Sequence, residues 1–306
     1  MQPRHSLHVL WLAAAAEGVL GGNACKPRCP TSCACNKELC PKGSEVSEEV
    51  SGYRKSCKAL IVSLGRAAPE YADWKFNSPR YRGITMQGTD ALHGLVMLVE
   101  ELLDDGIDGD MYELGTWRAG TSIMLIKTVE SYGELRRAHA SRARSSMLTR
   151  GYWFFDSFNG FVGVPGAPAR LVGESANYYA APLERVRRSF ARYGVHNNSH
   201  VHFVKGIFEE TLPQHRPPKP IALLRLDGDL YQSTLLALRR LYRHVTPGGW
   251  VVIDDYDVNY GYGDGNVQKG CRDAVNEFRD QHSPRPITSQ ITRKYGKPAW
   301  QKALKH

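Results

Sequence analysis

Several short patterns are missing from this 306-residue chain. No GxSxG turn occurs, which disfavours a serine hydrolase built on a nucleophile elbow. No CxxC pair occurs, and no histidine lies among the clustered cysteines, so zinc finds no ready ligand spacing there. The turn Gly115–Gly120 lacks the GxGxxG spacing through which a backbone approaches a pyrophosphate. The apolar stretch near the N-terminus is broken by His8 and Glu17 and is too short to span a bilayer. No zinc-finger spacing, RNP-like motif or basic heptad accompanies the formal net charge of +9. A nucleic-acid partner is therefore disfavoured. The basic excess concentrates between Arg136 and Arg150, with Arg137, Arg142 and Arg144 inside, and reads as a solvated insertion.

What is present is an ordinary globular composition, 42% hydrophobic and 23% charged. A basic start precedes the N-terminal apolar stretch, as in a cleaved secretory signal, with a plain extension as the alternative. Cys25, Cys29, Cys33, Cys35, Cys40 and Cys57 follow, while Cys271 stands apart. Disulfides in an oxidising compartment fit the cluster best, ahead of a metal site, with free thiols as a third reading. The expected location is the secretory pathway on the first reading and the cytoplasm otherwise. Residues 1–75 are expected to form an extension and residues 76–306 one folded domain.

Within that domain strands and helices alternate. Leu92, Leu95, Val96, Val99 and Leu102 recur at helical spacing and predict a helix ending near Asp104–Gly109. Strands are expected at Met111–Gly115, Tyr152–Ser157, Val201–Gly206, Ile221–Asp229 and within Pro247–Tyr256. Helices are expected at Ser122–Tyr132, Leu183–Tyr193, Thr234–His244 and Val267–Asp280. A last strand or hairpin is placed in Ile287–Trp300. This alternation predicts an α/β fold with a doubly wound, mostly parallel sheet and helices on both faces. Such sheets bind ligands beyond the carboxyl ends of their strands.

The acidic residues fall at those ends. Glu113, Gly115, Thr116 and Trp117 join the first strand to its helix. The looser turn suits S-adenosylmethionine, which has no phosphates, and Glu113 is a candidate for its ammonium group. Asp156 and Ser157 end the second strand, where a carboxylate accepts hydrogen bonds from ribose hydroxyls. Asp227 and Asp229 end one strand and Asp254 and Asp255 another. Neighbouring strands lie about 4.8 Å apart, so these carboxylates converge and repel unless a cation intervenes. Oxygen-only ligands favour a hard ion such as Mg²⁺.

Here the residues match a known family. ITMQG, GDMYELGTWRAGTSIM, WFFDSFNGF, FARYG, GIFEETLP, LLRLDGDLYQST, LYRHVTPGGWVVIDDY and CRDAVNEFR occur in order from about Tyr81 to Lys302. The chain resembles the macrocin O-methyltransferase family, metal-dependent sugar O-methyltransferases of antibiotic pathways. The resemblance implies a Rossmann-like class I methyltransferase fold using S-adenosylmethionine and Mg²⁺. It implies metal ligation by Asp227, Asp254 and Asp255, with Asp229 as general base and Asp227 beside it. It implies cofactor contacts at Glu113, Gly115, Asp156 and Ser157, and at Thr85 and Met86 in a segment folded over the cofactor. The expected partner is a small-molecule hydroxyl acceptor, a sugar first and a catechol-type phenol second, and a homo-oligomer is left open. The basic insertion, the cysteine-rich start and the Tyr- and Gly-rich stretch after Asp255 depart from the family pattern. An NAD-dependent oxidoreductase, a catalytically silent scaffold and an RNA methyltransferase are the competing readings.

Overall fold

The computed structural model describes residues 48–66, 83–139, 150–172, 176–195, 198–257, 270–282 and 289–303. The N-terminal apolar stretch, five of the six clustered cysteines, Arg142, Arg144 and residues 258–269 of the Tyr- and Gly-rich stretch lie outside these residues.

The described chain runs α1 (Glu48–Leu64), α2 (Thr89–Asp104), β1 (Asp110–Leu114), α3 (Gly120–His139), β2 (Tyr152–Asp156), then two single turns, α4 (Ala169–Val172) and α5 (Ala176–Tyr179). It continues with α6 (Leu183–Arg192), β3 (Val201–Lys205), α7 (Phe208–Gln214), β4 (Ile221–Leu226), α8 (Tyr231–Leu241), a 3-10 turn (Tyr242–His244), β5 (Val245–Ile253), α9 (Cys271–Gln281) and β6 (Ala299–Gln301). The strands form one sheet in the order β3-β2-β1-β4-β5-β6. The first five are parallel and β6 is antiparallel to β5. A bridge between Thr292 and Ala299 makes the chain end the expected hairpin.

Every residue of β1 and β4 is buried, as a strand covered on both faces requires. Met111 and Leu223 pack with α1, α2, α3 and α6 on one face. Tyr112, Leu114 and Leu224 pack with α7, α8 and α9 on the other. This is the doubly wound Rossmann-like arrangement, with helices on both sides. Helix α2 buries Leu92, Leu95, Val96, Val99 and Leu102. It stops where Gly106 takes a φ of 66°. There Ile107 N–H donates to the Leu102 carbonyl and Gly106 N–H to that of Leu103, a Schellman closure.

Three features depart from the sequence reading. Helix α1 lies inside the expected extension, yet buries Tyr53, Ile61 and Leu64 in the domain core. Its Cys57 is a free thiol, the third of the readings given for the clustered cysteines and not the first. The start of the basic block is the last turn of α3, and its end is not solvated: Arg150 is buried. Arg150 donates to the carbonyls of Gly109, at 2.5 Å, and Ile107, so it clamps the turn that feeds β1. Among the described residues no helix is long and apolar enough to cross a membrane.

Candidate active site

The parallel hydrogen-bond ladder continues one step past the strand ends and sets the site. Gly115 N–H donates to the Phe155 carbonyl at 2.9 Å, Asp227 N–H to Leu114 at 2.8 Å and Asp254 N–H to Leu226 at 2.8 Å. Gly115, Asp227 and Asp254 are thereby laid side by side above the carboxyl edge of the sheet. Gly115 has a φ of 95°, and a Cβ there would sit 1.8 Å from the Asp227 carbonyl oxygen. Only glycine allows β1 and β4 to close this tightly.

A cleft of about 750 Å³ opens over that edge. Gly115, Thr116, Trp117, Asp156 and Ser157 line one part of it. Asp227, Asp229, Asp254 and Asp255 line another, and Thr85 and Met86 border it from the segment before α2. All the residues singled out from the sequence meet here except Glu113.

Glu113 is fully buried and does not line the cleft. Its carboxylate accepts from Arg225 Nη1 at 2.8 Å and from the Ser122 hydroxyl. Burial pushes its pKa up to about 7, with Arg225 and Ser122 opposing the shift. Each oxygen takes one donor, and from this depth Glu113 braces the turn from beneath.

Asp156 holds the same turn from the side. Its Oδ2 accepts the N–H groups of Thr116 and Trp117 at 2.8 and 3.0 Å, and Oδ1 that of Phe158 at 2.7 Å. Burial raises its pKa, and these three donors oppose the rise. A carboxylate oxygen has room for two donors, so Asp156 still presents acceptor capacity to the cleft. The Ser157 hydroxyl donates to the Gly160 carbonyl at 2.6 Å and shapes its own loop. Trp117 has a φ of 44°, and its indole N–H donates to the Tyr178 carbonyl at 3.1 Å. The Thr116 hydroxyl is buried without a hydrogen-bond partner.

The acidic part is organised by a residue that the sequence reading passed over. Arg225 is buried in β4 and reaches Asp227 Oδ2 at 2.8 Å and Asp254 Oδ1 at 2.6 Å, besides Glu113. Against burial, the carboxylates of Asp227, Asp254 and Glu113 raise its pKa well above the usual value. Asp254 Oδ2 accepts from Gln87 Nε2 at 2.7 Å and Lys297 Nζ at 2.8 Å. Against burial, Arg225 and Lys297 hold the Asp254 carboxyl below the ordinary range. Asp227 is pushed up to about 6 by burial, with Arg225 opposing. Asp255 is raised well above its ordinary value, by burial and then by the charges of Asp229, Asp227 and Asp254.

Oxygens of Asp227, Asp254 and Asp255 all lie within 4.8 Å of one another. Asp255 Oδ2 is buried without a hydrogen-bond partner. An all-oxygen donor set with an unmatched buried acceptor and surplus negative charge fits a hard divalent cation. Glu209, at the start of α7, also lines the cleft, and both its carboxylate oxygens are buried without a partner.

A lone arginine inside the apolar run IALLRL was the available signal for Arg225. Gln87 lies within the quoted stretch ITMQG and Glu209 within GIFEETLP, but neither pattern marks its side chain. Lys297 carried no signal.

The sequence profile of the macrocin O-methyltransferase family matches residues 70–294. The chain is 38% identical over 213 residues to 8-demethyl-8-(2,3-dimethoxy-alpha-L-rhamnosyl)-tetracenomycin-C 4'-O-methyltransferase of Streptomyces olivaceus, covering 68% of this chain and 72% of that one. It is 33% identical over 205 residues to mycinamicin III 3''-O-methyltransferase of Micromonospora griseorubida, covering 65% and 71%. It is 33% identical over 215 residues to demethyldecarbamoylnovobiocin O-methyltransferase of Streptomyces niveus, covering 69% and 71%. Among solved structures, the O-methyltransferase NovP superposes with a TM-score of 0.61 at 28% identity, covering 82% of this chain and 99% of that one. With the doubly wound sheet, the strand-end cleft and this match over most of its length, the chain belongs to the macrocin O-methyltransferase family.

Proposed function

We propose that this methyltransferase uses S-adenosylmethionine and a divalent cation such as Mg²⁺ to methylate a sugar hydroxyl of a glycosylated small molecule. The observation that carries the reading is the single cleft in which the Gly115–Trp117 turn and Asp156 face three carboxylates within 4.8 Å of one another. The activities for which the relatives are named, on rhamnosyl-tetracenomycin, mycinamicin III and a novobiocin precursor, support the acceptor class.

In this reading Asp156 would take the ribose hydroxyls, and Glu209, with both carboxylate oxygens unpartnered at the cleft, would accept from another donor of the cofactor. Thr85 and Met86 cover the cofactor from above. Asp227, Asp254 and Asp255 hold the cation, while Arg225 and Lys297 keep part of the surplus charge matched. When bound, the cation supplies electrostatic stabilisation to a hydroxyl that is losing its proton. Asp229 accepts that proton as general base. The bound cofactor would supply an electrophilic methyl group, and the residues of the cleft would hold donor and acceptor close together.

The deciding experiment is calorimetric titration of S-adenosylmethionine and, separately, NAD, with and without Mg²⁺, followed by turnover with glycoside acceptors. S-adenosylmethionine should bind, NAD should not, and EDTA should stop turnover. Binding of NAD alone, or full turnover in EDTA, overturns the reading. A phenolic acceptor is the second reading, favoured by the aromatic wall of Phe161, Tyr178 and Tyr179 in the same cleft. Catechols run beside the glycosides separate the two.

A further inference from the structure

We propose that Gln87 is a positioning residue that couples occupancy of the cofactor pocket to the metal centre, through a strap formed by residues 83–88. The inference rests on the function proposed above.

The strap is anchored at its base. Ile84 N–H donates to the Leu64 carbonyl at the end of α1, at 2.9 Å. Arg118 Nη1, from the cofactor turn, donates to the Gly83 carbonyl at 3.0 Å. Gly120 N–H, at the head of α3, donates to the Ile84 carbonyl at 2.9 Å. A Cβ at Gly120 would lie 2.6 Å from that carbonyl oxygen, so strap and turn touch backbone to backbone. Further along, Gln87 N–H donates to Thr85 Oγ1 at 3.0 Å, which bends the strap. The bend delivers Gln87 Nε2 to Asp254 Oδ2 at 2.7 Å. Between these points Thr85 is buried and Met86 exposed, and both border the cleft. The Tyr178 hydroxyl donates to the Met86 sulfur at 3.4 Å.

Asp254 receives three side-chain donors, and they come from different elements. Arg225 belongs to β4 and Lys297 to the terminal hairpin. Gln87 alone of the three sits on the segment that carries Thr85 and Met86. A ligand packed against Thr85 and Met86 restricts the strap, and a restricted strap restricts Gln87. The carboxylate of Asp254 then enters metal binding already oriented, with less freedom left to lose. By linkage the effect is reciprocal: the metal tightens the cofactor by the same factor. Arg225, held rigidly in the sheet, carries no such dependence.

The test uses the full chain, S-adenosylhomocysteine and Mn²⁺. In the native protein, saturating S-adenosylhomocysteine should tighten Mn²⁺ by about tenfold, and Mn²⁺ should tighten S-adenosylhomocysteine equally. Gln87→Leu keeps the bulk and removes the donor. In that variant the coupling should fall below about twofold, while S-adenosylhomocysteine affinity without metal stays within about twofold of native. Should the leucine variant fail to fold, Gln87→Asn, one methylene short, serves for the same measurement. Native coupling in these variants overturns the proposal, as does the absence of coupling in a native protein that binds both ligands. Failure of the native protein to bind S-adenosylhomocysteine at all overturns the functional reading with it.

Discussion

Asp229 sits at a φ of 61°, a left-handed conformation that costs most residues about 1–2 kcal/mol but that aspartate and asparagine tolerate. Its carboxylate is the largest charge acting on Asp255. This combination gives a clean test of the general base. Asp229→Asn preserves shape and backbone preference and removes the proton acceptor together with its charge. Turnover should fall roughly 10²–10⁴-fold, with a melting temperature close to native in differential scanning calorimetry. An active asparagine variant would remove Asp229 from the mechanism. At this scale the aspartates were legible because each ends an apolar run, where a carboxylate has no packing reason to be. Their partners were not. Gln87 and Lys297 lie far from Asp254 along the chain, and only the fold brings them together. Glu113 was legible as a carboxylate at the right strand end, but the depth at which β1 carries it, and Arg225 opposite, could not be read from spacing.

Helix α1 docks on α2 and α3 around a buried polar cluster. Tyr53 and Tyr132 rings lie 5.4 Å apart, and Glu100 faces Tyr53 and Cys57, with Asp104 and Arg54 nearby. Burial lifts the Glu100 carboxyl from its ordinary 4.5 to about 7, the nearby Tyr53 hydroxyl opposing and the Asp104 charge adding to the rise. The native state therefore favours the neutral acid. The stability it contributes is complete below pH 4.5 and is lost as pH rises to about 7. Glu100→Gln lacks this dependence. Denaturant unfolding at pH 4.5 and 7.5 should show the native protein losing about 3 kcal/mol relative to the variant. Parallel pH profiles for the two proteins would count against a neutral Glu100. The sequence hid this helix because its buried positions, Tyr53, Ile61 and Leu64, are too sparse for a periodic stripe, and Gly52 interrupts it. Helix α7 was hidden by brevity and by Pro213 within it. The strands were legible in place, since apolar runs bounded by turns mark a sheet covered on both faces.

For the molecule as a whole, the packing of α1 carries the core N-terminal of residue 76. The full chain is the reference. One starting at residue 76 loses three buried apolar side chains, each worth about 1.5–3 kcal/mol, and should melt more than about 10 °C lower by circular dichroism. Equal melting of the two would place the boundary at residue 76. The strand order carries a different consequence, one of timing. Strand β1 ends up between β2 and β4, and its Asp110 pairs with Ile221. During synthesis, at about 5–20 residues per second, β2 follows β1 first, and the other edge of β1 waits several seconds more for β4. Throughout that interval an apolar strand presents an open ladder to any other nascent chain, a natural point for a chaperone to act. The cleft matures later still, because Lys297 reaches Asp254 only after the terminal hairpin has left the ribosome.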